Sequence, residues 1–98
     1  MKITKKLNDS TMEVALEGRL DTMTAPELEK ELKDSLSSIK ELTLDFSGLE
    51  YISSAGLRVL LMAQRGLSYG GKMKIVHANE IVREVFEVTG FSDIMTVE

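Results

Sequence analysis

The chain has no cysteine and no tryptophan, a single proline, a single histidine and only 5% aromatic residues. Without thiols it can form neither a disulfide nor a thiolate metal site, and a cysteine nucleophile is excluded. His77 is the one side chain whose ordinary pKa lies near neutral pH, so general acid–base chemistry has little to draw on. Long apolar runs are missing as well: the longest, Val59 to Ala63, is far shorter than the ~20 residues of a membrane span. The N-terminus lacks the apolar stretch of a signal peptide, so the expected location is the cytoplasm, with no direct membrane insertion. Nor is there a basic tract. The 12 Lys and Arg are scattered among 16 Asp and Glu, for a net charge of -4, which gives nucleic acid no electrostatic footprint. No metal or cofactor is expected.

What remains is ordinary globular material, 43% hydrophobic and 29% charged over 98 residues, enough for one domain covering residues 1–98. A chain of this size buries roughly two thirds of the surface its unfolded form exposes. Ile3 to Leu7 and Met12 to Leu16 alternate around Asn8-Asp9-Ser10, the pattern of a strand hairpin. Thr24-Ala25-Pro26-Glu27 has the spacing of a capping box, predicting a helix from Ala25 with Leu28, Leu32, Leu36 and Ile39 on its apolar side. Leu42, Leu44 and Phe46 alternate in a third strand that Ser47-Gly48 is expected to close. A second helix opens at Ser53-Ser54-Ala55-Gly56 and runs to about Ser68; Gly70-Gly71 breaks it before a fourth strand, Lys72 to His77. Asn79 is placed to cap a third helix, Glu80 to Thr89, ending at Gly90 with Phe91 against Phe86; Ile94 to Val97 suits a short last strand. Strand–helix alternation of this kind argues for an α/β fold, with a mostly parallel sheet built by right-handed crossovers and the first strand antiparallel at an edge.

In such a sheet, ligands and modifications gather at the carboxyl ends of the strands. Arg19 to Thr22, Phe46 to Ser53 and the residues around His77 are expected at that rim, bringing Asp21, Thr22, Asp45 and Ser47 near the two serines. Ser53 or Ser54 serves as a helix cap in the plainest reading. A helix starting there also points its first N–H groups and positive dipole end outward, a prepared place for a phosphate on Ser54. Gly56 allows close packing of the helix on the sheet. At helical spacing Ala55, Val59, Leu60, Ala63 and Leu67 form the core side, while Leu57 and Leu61 fall opposite with Gln64, Arg65 and Ser68. Those leucines are expected to make an exposed stripe for a protein partner.

Gly18-Arg19-Leu20-Asp21-Thr22, Ala25-Pro26-Glu27-Leu28, Leu44 to Leu49, Tyr51 to Leu57 and Phe86 to Phe91 together, in order and spacing, closely resemble the STAS (sulfate transporter and anti-sigma-factor antagonist) domains. The likeness extends over nearly the whole chain and is to the stand-alone bacterial anti-sigma-factor antagonists. It implies a STAS-like α/β domain with a mixed, mostly parallel sheet of four or five strands, an antiparallel edge hairpin and three or so helices. It also implies partner switching by a protein that is not an enzyme. The unmodified antagonist, a monomer when free, binds an anti-sigma factor that is often a serine kinase, and so frees a sigma factor; phosphorylation ends binding and a PP2C-type phosphatase restores it. By register the phosphoacceptor falls on Ser54. The family's preceding aspartate is replaced here by Ser53, which stands as the alternative acceptor. Ser53, Ser54, Gly56, Leu57, Arg58, Leu61 and Arg65 are the expected partner-binding residues, with Asp21 a rim neighbour.

Two other readings remain open. Ser54, His77 and Asp45 are the residue types of a hydrolase triad, but the Gly-x-Ser-x-Gly elbow is missing and no Walker loop is present. A non-catalytic STAS subunit of a lipid-transport ABC transporter, or another constitutive interaction module, would use the same helix surface without a phosphate cycle.

Overall fold

A computed structural model of the chain describes residues 1–67 and 69–98. Strands β1 (Lys2–Asn8) and β2 (Thr11–Leu20) form the antiparallel hairpin, with Asp9 turning it at a φ of 55°. Left-handed backbone of this kind is tolerated best by Gly, Asn and Asp. Helix α1 (Ala25–Lys33), β3 (Glu41–Ile52), α2 (Ser54–Gly66), β4 (Lys72–Val76), α3 (Glu80–Thr89) and β5 (Thr96–Val97) follow. The five strands lie in chain order, and every pairing after the hairpin is parallel. Successive right-handed crossovers that always advance in one direction must put all their helices on one face of the sheet. Burial agrees with that geometry. Leu42, Leu44 and Phe46 are buried, whereas Glu13, Glu17, Lys72 and Lys74 on the other face are exposed.

Several boundaries differ from expectation: β4 stops at Val76 rather than His77, β5 starts at Thr96 rather than Ile94, and three differences go further. Helix α1 stops at Lys33, and a separate 3-10 turn, Leu36–Ser38, carries Leu36 and Ile39 into the core. Ser47 and Gly48 do not end the third strand, which continues to Ile52 through two register shifts against β2. A Cβ on Gly48 would lie 2.7 Å from Glu17 Cγ and 3.1 Å from Leu16 O, so this glycine permits a close approach between strands at the bulge. Each bulge inserts one residue, and the buried side chains accordingly run Phe46, Leu49, Ile52 at a spacing of three rather than two. The second helix ends at Gly66, and Ser68, expected near its end, lies outside the described residues.

The third helix follows the sequence pattern. Asn79 Oδ1 accepts the Val82 N–H at 2.8 Å, Gly90 is left-handed with φ 80°, and the Phe86 and Phe91 rings stack with centroids 6.0 Å apart. Phe46 lies 6.4 Å from Phe86, so all three phenylalanines meet where α3 packs on the sheet.

Candidate functional site

The site is built where β2 and β3 end side by side. Leu20 pairs with Ile52, and the ladder gains one more bond as Ser53 N–H donates to Leu20 O at 2.9 Å. Asp21 follows directly, so the sheet register brings it beside the two serines. Its carboxylate closes the loop onto itself: Oδ1 accepts Met23 N–H at 3.0 Å and Thr24 N–H at 3.1 Å. These bonds, the Thr24 N–H first, hold the Asp21 pKa below 3.8, with Arg19 adding a smaller electrostatic pull. Thr24 does not form the expected capping box. Its hydroxyl donates to Arg19 O at 2.7 Å and accepts Asp21 N–H at 2.9 Å, bracing the rim rather than the helix. Thr22 is exposed in the same loop.

Helix α2 starts at Ser54 without a side-chain cap. Ser53 occupies the N-cap position in an extended conformation, yet its Oγ is buried and has no hydrogen-bond partner. The Ser54 side chain, one residue on, is exposed. No acidic residue stands in the first turn of α2, so the positive end of its dipole is not offset locally. Gly56 faces inward: a Cβ there would lie 2.7 Å from Leu20 Cγ and 2.8 Å from Ile52 Cγ1. It seats the helix on the strand ends and is not available to a partner.

The expected exposed leucine stripe is corrected by the structure. Leu57 is only 7% exposed and belongs to the core, while Leu61 is half-buried against it. Helix α2 has neighbours on both flanks, with Gly66 against Leu36 on one side and Gln64 Nε2 donating to Ile94 O at 3.0 Å on the other. Its buried arc is therefore wider than half the helix. Ser54, Arg58, Leu61 and Arg65 fall on one outward ridge by their spacing, with Ser54 and both arginines exposed. The outward surface of α2 is thus a basic ridge headed by a hydroxyl.

Asp45 and Ser47 are also displaced from expectation. Asp45 pairs with Val76 at the end of β4, on the order of 20 Å of strand back from Ser53 at ~3.3 Å per residue. There its Oδ1 accepts Ser47 N–H at 2.9 Å and lies 3.1 Å from His77 Nδ1. The Ser47 N–H first, then His77, lowers the Asp45 pKa below 3.8. The rim is stepped because β3 continues past the end of β4, and this splits the triad residue types between two places. Among the described residues no group of three His, Asp or Glu is close enough to hold a metal ion, and no helix is long and apolar enough to cross a membrane.

Arg19 and Tyr51 are expected at the rim, but their contact is not. The Arg19 guanidinium lies 4.6 Å over the Tyr51 ring, and its Nε is 3.9 Å from Asp21 Oδ2. Both stand one position before the last paired residues of their strands, a register visible only once the bulges in β3 are known.

The family model described as "Mlab, STAS domain" matches residues 3–97. BtrV of Bordetella bronchiseptica, provisionally named an anti-sigma factor antagonist, is 36% identical over 99 aligned residues, covering 99% of this chain and 85% of BtrV. The chain belongs to the STAS domain family, among the anti-sigma-factor antagonists. Solved structures share the fold of this STAS domain. An anti-sigma factor antagonist from Mycobacterium paratuberculosis superposes with a TM-score of 0.89 at 24% identity, covering 98% of this chain and 83% of the other. The anti-sigma factor antagonist SpoIIAA in its unphosphorylated form gives 0.86 at 19% identity, with 99% and 88% covered. Its phosphorylated form, from Bacillus, gives 0.77 at 18% identity, with 99% and 91% covered.

Proposed function

We propose that this STAS domain binds an anti-sigma factor through the α2 ridge and thereby frees a sigma factor, and that phosphorylation of Ser54 switches the binding off. The observation that carries the reading is the contrast between the adjacent hydroxyls. Ser54 is exposed at an uncapped helix start, whereas the Ser53 Oγ beside it is buried. A kinase can reach the first without disturbing the sheet, which favours Ser54 over Ser53 as acceptor.

The chemistry is a phosphoryl transfer. Ser54 Oγ attacks the γ-phosphorus of ATP, the bond to the β-phosphate oxygen breaks, ADP leaves and the hydroxyl proton is lost to a base on the kinase. The anti-sigma factor is itself that kinase in this reading, and a PP2C-type phosphatase reverses the step by hydrolysis. The ester adds roughly -1.5 to -2 charge and three acceptor oxygens. At the head of a ridge carrying Arg58 and Arg65, that charge opposes the field a partner meets on the unmodified protein. A penalty of about 3 kcal/mol weakens binding by more than a hundredfold, so no global rearrangement is needed.

Incubation with ATP and the anti-sigma factor encoded in the same genome tests this by intact mass. One added phosphoryl group, absent in Ser54→Ala and retained in Ser53→Ala, is the expected result. Copurification with an ATPase and a permease, unaffected by Ser54→Asp, would instead assign the chain to a transporter and overturn the switch.

A further inference from the structure

Away from the Ser54 rim, α3 carries an apolar row that the core does not use. Val82 and Phe86 are buried, but Ile81 is 58% and Val88 80% exposed, with half-buried Val85 between them. Their spacing of four and three places them in one row, and with Glu84 and Thr89 they line a shallow depression of about 280 Å³. Glu80, Glu84 and Glu87 form a second row beside it, all exposed and outside every ion pair recorded among the described residues.

The direction of the apolar row follows from the contacts of α3. Arg83, on the opposite flank of the buried pair, donates through Nη2 to Glu98 O at 2.8 Å and so marks the β5 side. Ile81, Val85 and Val88 therefore lie on the flank of α3 turned away from β5. The depression on α3 thus has an apolar lining and an acidic row along one side.

We propose that this face of α3 is a docking surface for an amphipathic helix of a protein partner, with its apolar ridge on Ile81, Val85 and Val88 and Lys or Arg along the side that meets the glutamate row. Charge decides the occupant. A second copy of this chain applying its own α3 would set two glutamate rows side by side, and an anionic membrane would be repelled by the same row. A helix whose basic flank lies along Glu80, Glu84 and Glu87 meets them with opposite charge while its apolar ridge covers the row beside them. The proposal goes beyond the phosphorylation switch and does not require Ser54 to be modified.

The test is a backbone amide NMR titration of the full chain, wild type and Ser54→Ala, with two synthetic helical peptides sharing one Leu ridge. One peptide carries Lys on one flank and Glu on the other; its control carries Glu on both. Saturable shifts at Ile81, Val85 and Val88, at least tenfold tighter for the Lys/Glu peptide and the same in Ser54→Ala, are expected. Val88→Glu should lose at least tenfold while keeping its melting temperature, because this side chain is mostly in water. Equal affinity for the two peptides, shifts confined to other surfaces, or self-association through α3 would overturn the proposal.

Discussion

Two of the three strand-to-helix junctions, those that open α2 and α3, solve the same problem in opposite ways. Where β4 passes to α3, the polar groups are engaged: Asn79 Oδ1 caps the helix, and its Nδ2 donates to Leu49 O at 3.1 Å and Glu50 O at 3.4 Å. His77 and Asp45 pair just before it. Where β3 passes to α2, no side chain caps the helix, one serine hydroxyl is buried without a partner, and the next is left in water. The first junction fastens α3 to the sheet through hydrogen bonds. The second fastens α2 by close packing at Gly56 and leaves its amino end open, the condition under which an added phosphate meets unoccupied donors.

Substitutions can break this contrast. Gly56→Ala should have the largest effect, because the new methyl meets Leu20 and Ile52 below 3.0 Å. Overpacking of this kind costs about 1–3 kcal/mol, read as a lower urea midpoint. Had Gly56 been an ordinary helical glycine, the same change would stabilise by about 1 kcal/mol, so the sign alone decides. Asn79→Ala should come next, losing about 1–2 kcal/mol with the cap. Ser53→Ala, at the matching position of the other junction, should lie within about 0.5 kcal/mol of wild type or slightly above it, since it removes a buried hydroxyl that bonds to nothing. Equal losses at the two caps would erase the distinction.

The smallest expected effect is on pH dependence. The folded Asp45 pKa is depressed, so its contribution to stability is complete above the usual 3.8 and is lost as pH falls through the lower folded value. Asp45→Asn should therefore lower the urea midpoint slightly near neutrality and flatten its acid limb, the two proteins converging as the pH falls below about 4.

Elements fixed by local chemistry were legible in the sequence. The Asn79 cap, the left-handed Gly90, the Phe86–Phe91 contact and the hairpin all follow from neighbours a few residues apart. Features decided by distant chain segments were not. The length of β3 depends on how closely Gly48 approaches Glu17. The burial of Leu57 depends on neighbours flanking both sides of α2, which a two-faced helical projection does not anticipate. The candidate site was readable as a pair of serines at a helix start. Only the fold separates the buried hydroxyl from the exposed one.

The central claim is that one ester on Ser54 reverses the sign of the contact made by the α2 ridge. It is tested most directly by calorimetric titration of the cognate anti-sigma factor with unmodified and homogeneously Ser54-phosphorylated protein in the same buffer. The account predicts a loss of more than a hundredfold in affinity, about 3 kcal/mol, with the fold unchanged by circular dichroism. Equal affinity of the two forms would contradict it.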